Sequence, residues 1–189
     1  MMRKNLYLVL LFLALSSCKI SGSFRGLYSY FKKEFKMQPD LYVFPNDGMN
    51  YCTETEKYID KVLVLNGLQL KECIQNNEKS IVYYWKPSCG SEICIPIYAV
   101  DQYCQENGIA LYVVSEYYHN EKMAKESYAN YPIIGIDTEY YRTNFTSKYI
   151  PKFYSDLGVE NITGNFFLFK NSKLVKQATG LGFQDLKYQ

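Results

Sequence analysis

The sequence predicts an α/β domain with a central sheet and helices on both of its faces. Short apolar runs of strand length alternate with longer segments of helical spacing, and this order implies crossover connections on either side of one sheet. The run SIVYYW at residues 80–85 is continuously apolar, as a strand buried on both faces requires. The chain has 189 residues, 48% of them hydrophobic, so one domain with a full core is expected.

The strands are predicted at short runs of apolar, β-branched and aromatic residues. These runs lie at residues 61–65, 80–85, 109–115, 131–137, 165–169 and 174–177. The dipeptide Asn66-Gly67 ends the first of them, and a turn at residues 170–173 separates the last two.

Apolar residues at intervals of three and four predict the helices. One helix is predicted over residues 68–77 and a more polar one over residues 121–129. A less regular helical stretch reaches Leu157, and Pro151 is expected to break it because proline lacks a backbone N–H. The remaining helix ends at Asn107-Gly108, and its apolar face is formed by Ile93, Ile97, Val100 and Cys104.

The first 18 residues, MMRKNLYLVLLFLALSSC, predict an export signal. Arg3 and Lys4 precede an apolar run that ends near Leu15 and is shorter than the roughly 20 residues that span a bilayer. The end of this segment, Leu15-Ser16-Ser17-Cys18, resembles the bacterial lipobox. The resemblance implies that residues 1–17 are removed and that Cys18 becomes the lipidated first residue. The alternative is an ordinary secretory signal with a chance cysteine.

A lipidated Cys18 implies a protein anchored in the bacterial cell envelope, because two or more acyl chains hold a protein stably on a membrane. Lys19 stands where an aspartate signals inner-membrane retention in enteric bacteria, which favours an outer-membrane protein that faces the periplasm. Residues 18–55 are then expected to be the lipidated cysteine, a tether and an N-terminal extension. Residues 56–189 are expected to be the folded domain.

Two segments of this domain carry a family resemblance. Trp85 ends a buried strand four residues before Cys89, and an amphipathic helix with Pro96 follows. Near the C-terminus, NFFLFKNSKLVKQATG has an apolar strand, a Lys-Asn turn and a second strand that ends at glycine. Together these features resemble the thioredoxin-like superfamily, particularly its membrane-tethered bacterial redoxins. The resemblance implies a three-layer sandwich with a central mixed sheet and a redox function for Cys89 and Cys94.

The cysteine spacing and one missing proline depart from the family pattern. Four residues separate Cys89 from Cys94 instead of the usual two, and Gly164 stands where the family has a cis-proline. In an unbroken helix, residues five apart are separated by about 7.5 Å of rise and about 140° of rotation. A disulfide needs its Cα atoms within about 7 Å. Cys89 is therefore expected in the loop ahead of the helix, with the first turn unwinding near Gly90-Ser91.

The hypothesis for function is thiol-disulfide exchange with a protein thiol or disulfide as the partner. Cys89 is the predicted nucleophile, because a helix N-terminus and the nearby Lys86 both favour a thiolate, and Cys94 is the predicted resolving cysteine. This chemistry requires no organic cofactor and no metal. A binding or scaffolding lipoprotein without a redox cycle is the alternative. A thiol peroxidase is a further one, although Lys86 stands where peroxiredoxins have threonine or serine.

The remaining cysteines and the charge give weaker signals. Cys52 and Cys73 could form a structural disulfide in an oxidising compartment, but their spacing does not decide it. Cys104 is expected to be a buried small hydrophobe. The single histidine, His119, has no cysteine or carboxylate set around it at metal-ligand spacing. Without the export signal, basic and acidic side chains are equal in number, which argues against a nucleic-acid partner.

Overall fold

A mixed β-sheet forms the centre of the protein in the computed structural model, which describes residues 26–46, 48–90, 94–126 and 131–180. Within those ranges the sheet has seven strands: β1 (Tyr42–Val43), β2 (Val62–Leu65), β3 (Lys79–Trp85), β4 (Ala110–Ser115), β5 (Ile133–Ile136), β6 (Phe166–Lys170) and β7 (Lys173–Ala178). The spatial order is β1-β2-β5-β4-β3-β6-β7. The first five strands in this spatial order, β1, β2, β5, β4 and β3, are parallel to one another. Strand β6 is antiparallel to β3, and β7 is antiparallel to β6.

Five α-helices accompany these strands in the described part of the chain: α1 (Phe31–Met37), α2 (Gly67–Gln75), α3 (Ile97–Glu106), α4 (Asn120–Glu126) and α5 (Thr146–Asp156). A 3-10 turn at Pro39–Leu41 directly precedes β1, and a second one at Thr55–Tyr58 lies in the connection between β1 and β2. No described helix has the length and apolar character needed to cross a membrane.

The sheet separates two hydrophobic cores. On one face, Ile81 and Tyr83 of β3 pack in a cluster with residues of α1, α3 and α4. On the other face, Val82 of β3 packs in a cluster with residues of α2 and α5. Alternate residues of β3 enter opposite cores, so residues 81–85 are apolar or aromatic without interruption, as expected from the sequence. The predicted α/β class is confirmed, and so are the six predicted strands.

The N-terminal segment adds two elements that the sequence pattern did not predict. Helix α1 has seven residues and β1 has two, and both are too short to show a period. Their attachment comes from tertiary contacts. The Asn120 side chain donates to the Glu34 carbonyl oxygen at 2.8 Å, its backbone N–H donates to the Glu34 carboxylate at 2.9 Å, and it accepts a hydrogen bond from the Tyr42 hydroxyl.

Two predictions about helices are wrong. Helix α3 begins at Ile97 with Pro96 as its N-cap, so residues 94–96 precede the helix. Proline suits that position because it lacks the N–H that would have no partner in the first turn. Helix α5 continues through Pro151, which is exposed. The carbonyl four residues before Pro151 belongs to exposed Ser147, where water can satisfy it.

A disulfide joins Cys52 to Cys73, with Cα atoms 4.8 Å apart. It connects the segment after β1 to the last turn of α2, which packs against the sheet. The sequence left this bond open, because two cysteines 21 positions apart meet only through the packing of the segments that carry them.

Candidate functional site

Cys89 and Cys94 form a disulfide in the connection between β3 and α3. Their Cα atoms are 6.1 Å apart, within the range that disulfides require. In this bonded form both residues precede Ile97, the first residue of α3, so Cys89 stands ahead of the helix as expected. The unwinding of a helical turn near Gly90-Ser91 stays a prediction about the reduced form. Cys89 is exposed and Cys94 is half-buried. An incoming thiolate would therefore meet the Cys89 sulfur first.

A tight turn places Cys89 just beyond the end of β3. The backbone N–H of Cys89 donates to the Lys86 carbonyl oxygen at 3.0 Å. Because α3 begins eight residues later, Cys89 does not stand at a helix N-terminus in this bonded form. Stabilisation of its thiolate by a helix N-terminus stays a prediction about the reduced form. Lys86 lies three positions before Cys89, and its ammonium is 3.7 Å from the Glu116 carboxylate and 5.9 Å from the centre of the Tyr84 ring.

Tyr83 holds the other half of the connection. Its hydroxyl donates to the carbonyl oxygen of Ile95 at 2.7 Å, one residue after Cys94. Its ring stacks on Phe166 of β6, with ring centres 4.5 Å apart. Burial, and secondarily Glu126, raises the pKa of Tyr83, so its hydroxyl remains a hydrogen-bond donor at physiological pH. This contact anchors the Cys94 side of the disulfide to the rigid sheet.

Tyr83→Phe is expected to lower the free energy of unfolding by about 1–2 kcal/mol, because the Ile95 carbonyl loses its partner in a half-buried position. The same change should speed reduction of the Cys89–Cys94 bond by dithiothreitol, since the Cys94 segment is released from the sheet. Denaturant unfolding and the reduction rate measure the two effects. Tyr98→Phe, on a side chain that is 71% exposed, is the control and should change neither quantity.

A groove of about 390 Å³ adjoins the disulfide. One side carries Tyr84 and Lys86, and the other is the segment before β6, with Ile162, Thr163 and Gly164. The Gln177 side chain holds that segment in place. Its Oε1 accepts a hydrogen bond from the Thr163 N–H at 2.9 Å, and its Nε2 donates one to the Asn161 carbonyl oxygen at 2.8 Å. The groove therefore has one wall on β3 and one that is bound to the end of β7.

Gly164 is required by a close approach of two backbone segments. A Cβ atom at this position would overlap the backbone of Ala178 at the end of β7. The neighbouring Asn165 N–H donates to the Ala178 carbonyl oxygen at 3.0 Å, and this bond fixes the separation. Proline does not fit here without a shift of β7, and the described residues contain no cis peptide bond. Glycine at position 164 thus has a packing cause.

Cys104 is a free thiol in the core beneath α3, with no exposed surface. Burial, and secondarily the Asp101 carboxylate, raises the pKa of Cys104 to about 12. At pH 8 about one molecule in 10⁴ carries the thiolate, which is the reactive form.

Iodoacetamide at pH 8 is therefore expected to leave Cys104 unlabelled in the native protein, whether or not the disulfides are reduced. Labelling should appear only in denaturant, because unfolding returns the pKa to its ordinary value. Peptide mass spectrometry measures the labelled fraction, and Cys89 in reduced protein is the positive control. Rapid native labelling of Cys104 at neutral pH would contradict its place in the core.

Cys18, the predicted lipid attachment site, lies outside the described residues. No group of histidine, cysteine and carboxylate side chains in the described ranges could hold a metal ion. The sequence analysis missed Tyr83, Gln177 and Glu116, because each acts through a contact with a residue far away in the chain. A tyrosine in an apolar strand carries no local signal for a hydrogen bond to residue 95.

Comparison with protein-family models gave no match for this chain, and comparison with curated proteins gave no significant match.

Proposed function

We propose that the protein is a membrane-tethered, extracytoplasmic thiol-disulfide oxidoreductase that acts on protein thiols or disulfides through Cys89 and Cys94. The observation that carries the proposal is the asymmetry of this bonded pair. Cys89 is an exposed residue in the turn after a buried strand, whereas Cys94 is half-buried and its neighbour Ile95 accepts a hydrogen bond from Tyr83. The second disulfide, Cys52–Cys73, does not line the groove.

The reaction proceeds through two successive thiol-disulfide exchanges. In the direction of partner reduction, the Cys89 thiolate attacks a partner disulfide, a mixed disulfide forms, and one partner thiolate leaves. The Cys94 thiolate then attacks the Cys89 sulfur, the mixed disulfide breaks, and the second partner thiolate leaves. The partner gains two electrons and the Cys89–Cys94 pair loses them. The reverse sequence oxidises a partner dithiol, starting with attack on the exposed Cys89 sulfur.

The resemblance to thioredoxin-like redoxins supports this proposal. A buried strand that ends at Trp85, a cysteine-containing connection, a helix and a parallel strand follow one another here as β3, α3 and β4, and the chain closes with the antiparallel pair β6 and β7. The export signal and Cys18 supply the tether in the proposal, with the domain facing the periplasm from the outer membrane. Cysteine exchange needs neither a metal nor an organic cofactor.

A redox-inactive binding or scaffolding lipoprotein is the second candidate, and Gly164 favours it. Gly164, which packs closely on Ala178, stands where redoxins have the proline whose backbone forms the edge that binds the partner. The four-residue spacing of Cys89 and Cys94 points the same way. In this candidate the Cys89–Cys94 bond has only a structural function.

Thiol trapping across a graded series of reduced and oxidised glutathione separates the two candidates. An oxidoreductase should show the Cys89 and Cys94 thiols appearing and disappearing reversibly within one transition, while Cys52–Cys73 stays bonded as an internal control. If the Cys89–Cys94 bond does not re-form at any ratio, the oxidoreductase proposal fails. Consumption of hydroperoxide that depends on Cys89 would instead identify a thiol peroxidase.

A further inference from the structure

A cavity of about 640 Å³ lies between the N-terminal segment and the loop after β5. Residues 28–33 form one side of it, and residues 138–144 form the other. The two sides are bound to each other, since the Ser29 N–H donates to the Asn144 carbonyl oxygen at 2.7 Å and the Thr146 N–H donates to that of Leu27 at 3.2 Å. We call the surface formed by residues 26–33 and 138–148 the basic face.

The basic face carries an excess of positive charge. Lys33, Arg142 and Lys148 have no carboxylate within ion-pair distance among the described residues, and Lys32 pairs with Glu139 at 3.4 Å. The face therefore has a net charge of about three, although the chain without its export signal is neutral overall. Such a concentration of one sign on one surface attracts an anionic partner.

Exposed apolar groups stand among these charges. Leu27 is 43% exposed and Phe145 is 38% exposed, and the Tyr28 and Phe145 rings are in contact with centres 5.1 Å apart. The Lys148 ammonium lies 5.4 Å from the centre of the Phe145 ring. Lysine, arginine and aromatic side chains on one surface are the combination that favours a membrane interface.

The chain that precedes the basic face leads to the membrane. Cys18 lies eight positions before Gly26, so even a fully extended segment spans at most about 27 Å. Between them the sequence has Lys19 and Arg25 and no carboxylate. A lipid on Cys18 would keep the basic face at a high effective concentration at the bilayer surface.

We propose that the basic face docks on the surface of an anionic phospholipid bilayer, and this inference rests on the tether of the proposed function. Each lysine or arginine near such a surface favours the docked state by about fivefold. The loop of the basic face follows the carboxyl end of β5, and the Cys89 connection follows that of β3. Parallel strands present these ends at one edge of the sheet, two strand spacings apart, or about 10 Å. Docking would therefore hold the disulfide close to the bilayer.

Amide hydrogen exchange of the full lipidated protein on vesicles tests the docking. On vesicles with 30% phosphatidylglycerol in phosphatidylcholine, residues 138–145 should exchange at least about tenfold more slowly than on pure phosphatidylcholine. The β6–β7 turn at residues 171–172 is the internal control and should exchange equally on both. Lys33→Gln/Arg142→Gln should abolish most of this protection, because loss of the two charges weakens the docked state by about 25-fold. The matched control, Lys71→Gln/Lys173→Gln, removes two charges elsewhere and should retain it.

Equal exchange of residues 138–145 on the two kinds of vesicle would overturn the docking proposal. Equal protection by inorganic phosphate alone would also overturn it, because the cavity would then take a free anion. The mass of the N-terminal peptide tests the tether separately. If that peptide carries no acyl chain, the proposed tether is wrong. The docking is then tested with the unlipidated chain and an excess of the same vesicles, by comparing amide exchange of residues 138–145 on the two kinds of vesicle.

Discussion

Cys89→Ser is expected to lower the rate of thiol-disulfide exchange on the order of 100-fold or more. The serine hydroxyl stays protonated at neutral pH and does not attack a disulfide, whereas a thiolate does. The exposed position of Cys89 makes it the sulfur that a partner meets first, so no other described cysteine can replace it. The measurement is the rate at which the purified chain reduces a disulfide-bonded protein with dithiothreitol as the electron source.

Cys94→Ser separates the two steps of the same reaction. The first attack should remain possible, so a mixed disulfide on Cys89 should accumulate and be visible as an added mass on that peptide. Cys52→Ala/Cys73→Ala should keep the exchange rate of the unchanged protein, because that disulfide lies away from the groove. Unchanged exchange in Cys89→Ser would rule out the proposed function of Cys89.

Cys52→Ala/Cys73→Ala is expected to lower the free energy of unfolding by about 3 kcal/mol. The bond closes a loop of 21 positions, and its loss restores chain entropy to the unfolded state in proportion to the logarithm of the loop length. For a chain of this size the melting temperature should fall by roughly 10 °C. Chemical denaturation under non-reducing conditions, followed by circular dichroism, measures the change.

Cys89→Ala/Cys94→Ala is the comparison for that prediction. Its loop has five positions, so the same relation gives a smaller loss of about 2 kcal/mol. Loss of the Cys52–Cys73 bond is thus expected to lower the free energy of unfolding more than loss of the proposed redox bond Cys89–Cys94. A loss below about 1 kcal/mol for Cys52→Ala/Cys73→Ala would mean that the segment after β1 is held in place without its disulfide.

Local pattern accounts for much of the fold. The six predicted strands and the helices between them follow from apolar periodicity, because burial on a sheet or against it constrains residues that are close in sequence. The position of Cys89 in a loop directly after β3 also follows, since the apolar run stops at Trp85 and a turn begins at Lys86-Pro87. The export signal and the lipidated Cys18 remain predictions from the sequence.

Tertiary packing decided what local pattern could not. Strand β5 lies between β2 and β4, and Cys52 meets Cys73, because of the way whole elements pack. Pro151 stays within a helix because its neighbours Tyr149, Ile150, Phe153 and Tyr154 are buried against the sheet, and that burial outweighs one missing hydrogen bond. The candidate site has the same origin. Its sulfurs are positioned by contacts with the sheet, such as the hydrogen bond from the Tyr83 hydroxyl to the Ile95 carbonyl oxygen. The two residues of such a contact are far apart in sequence, so a local sequence pattern does not predict it.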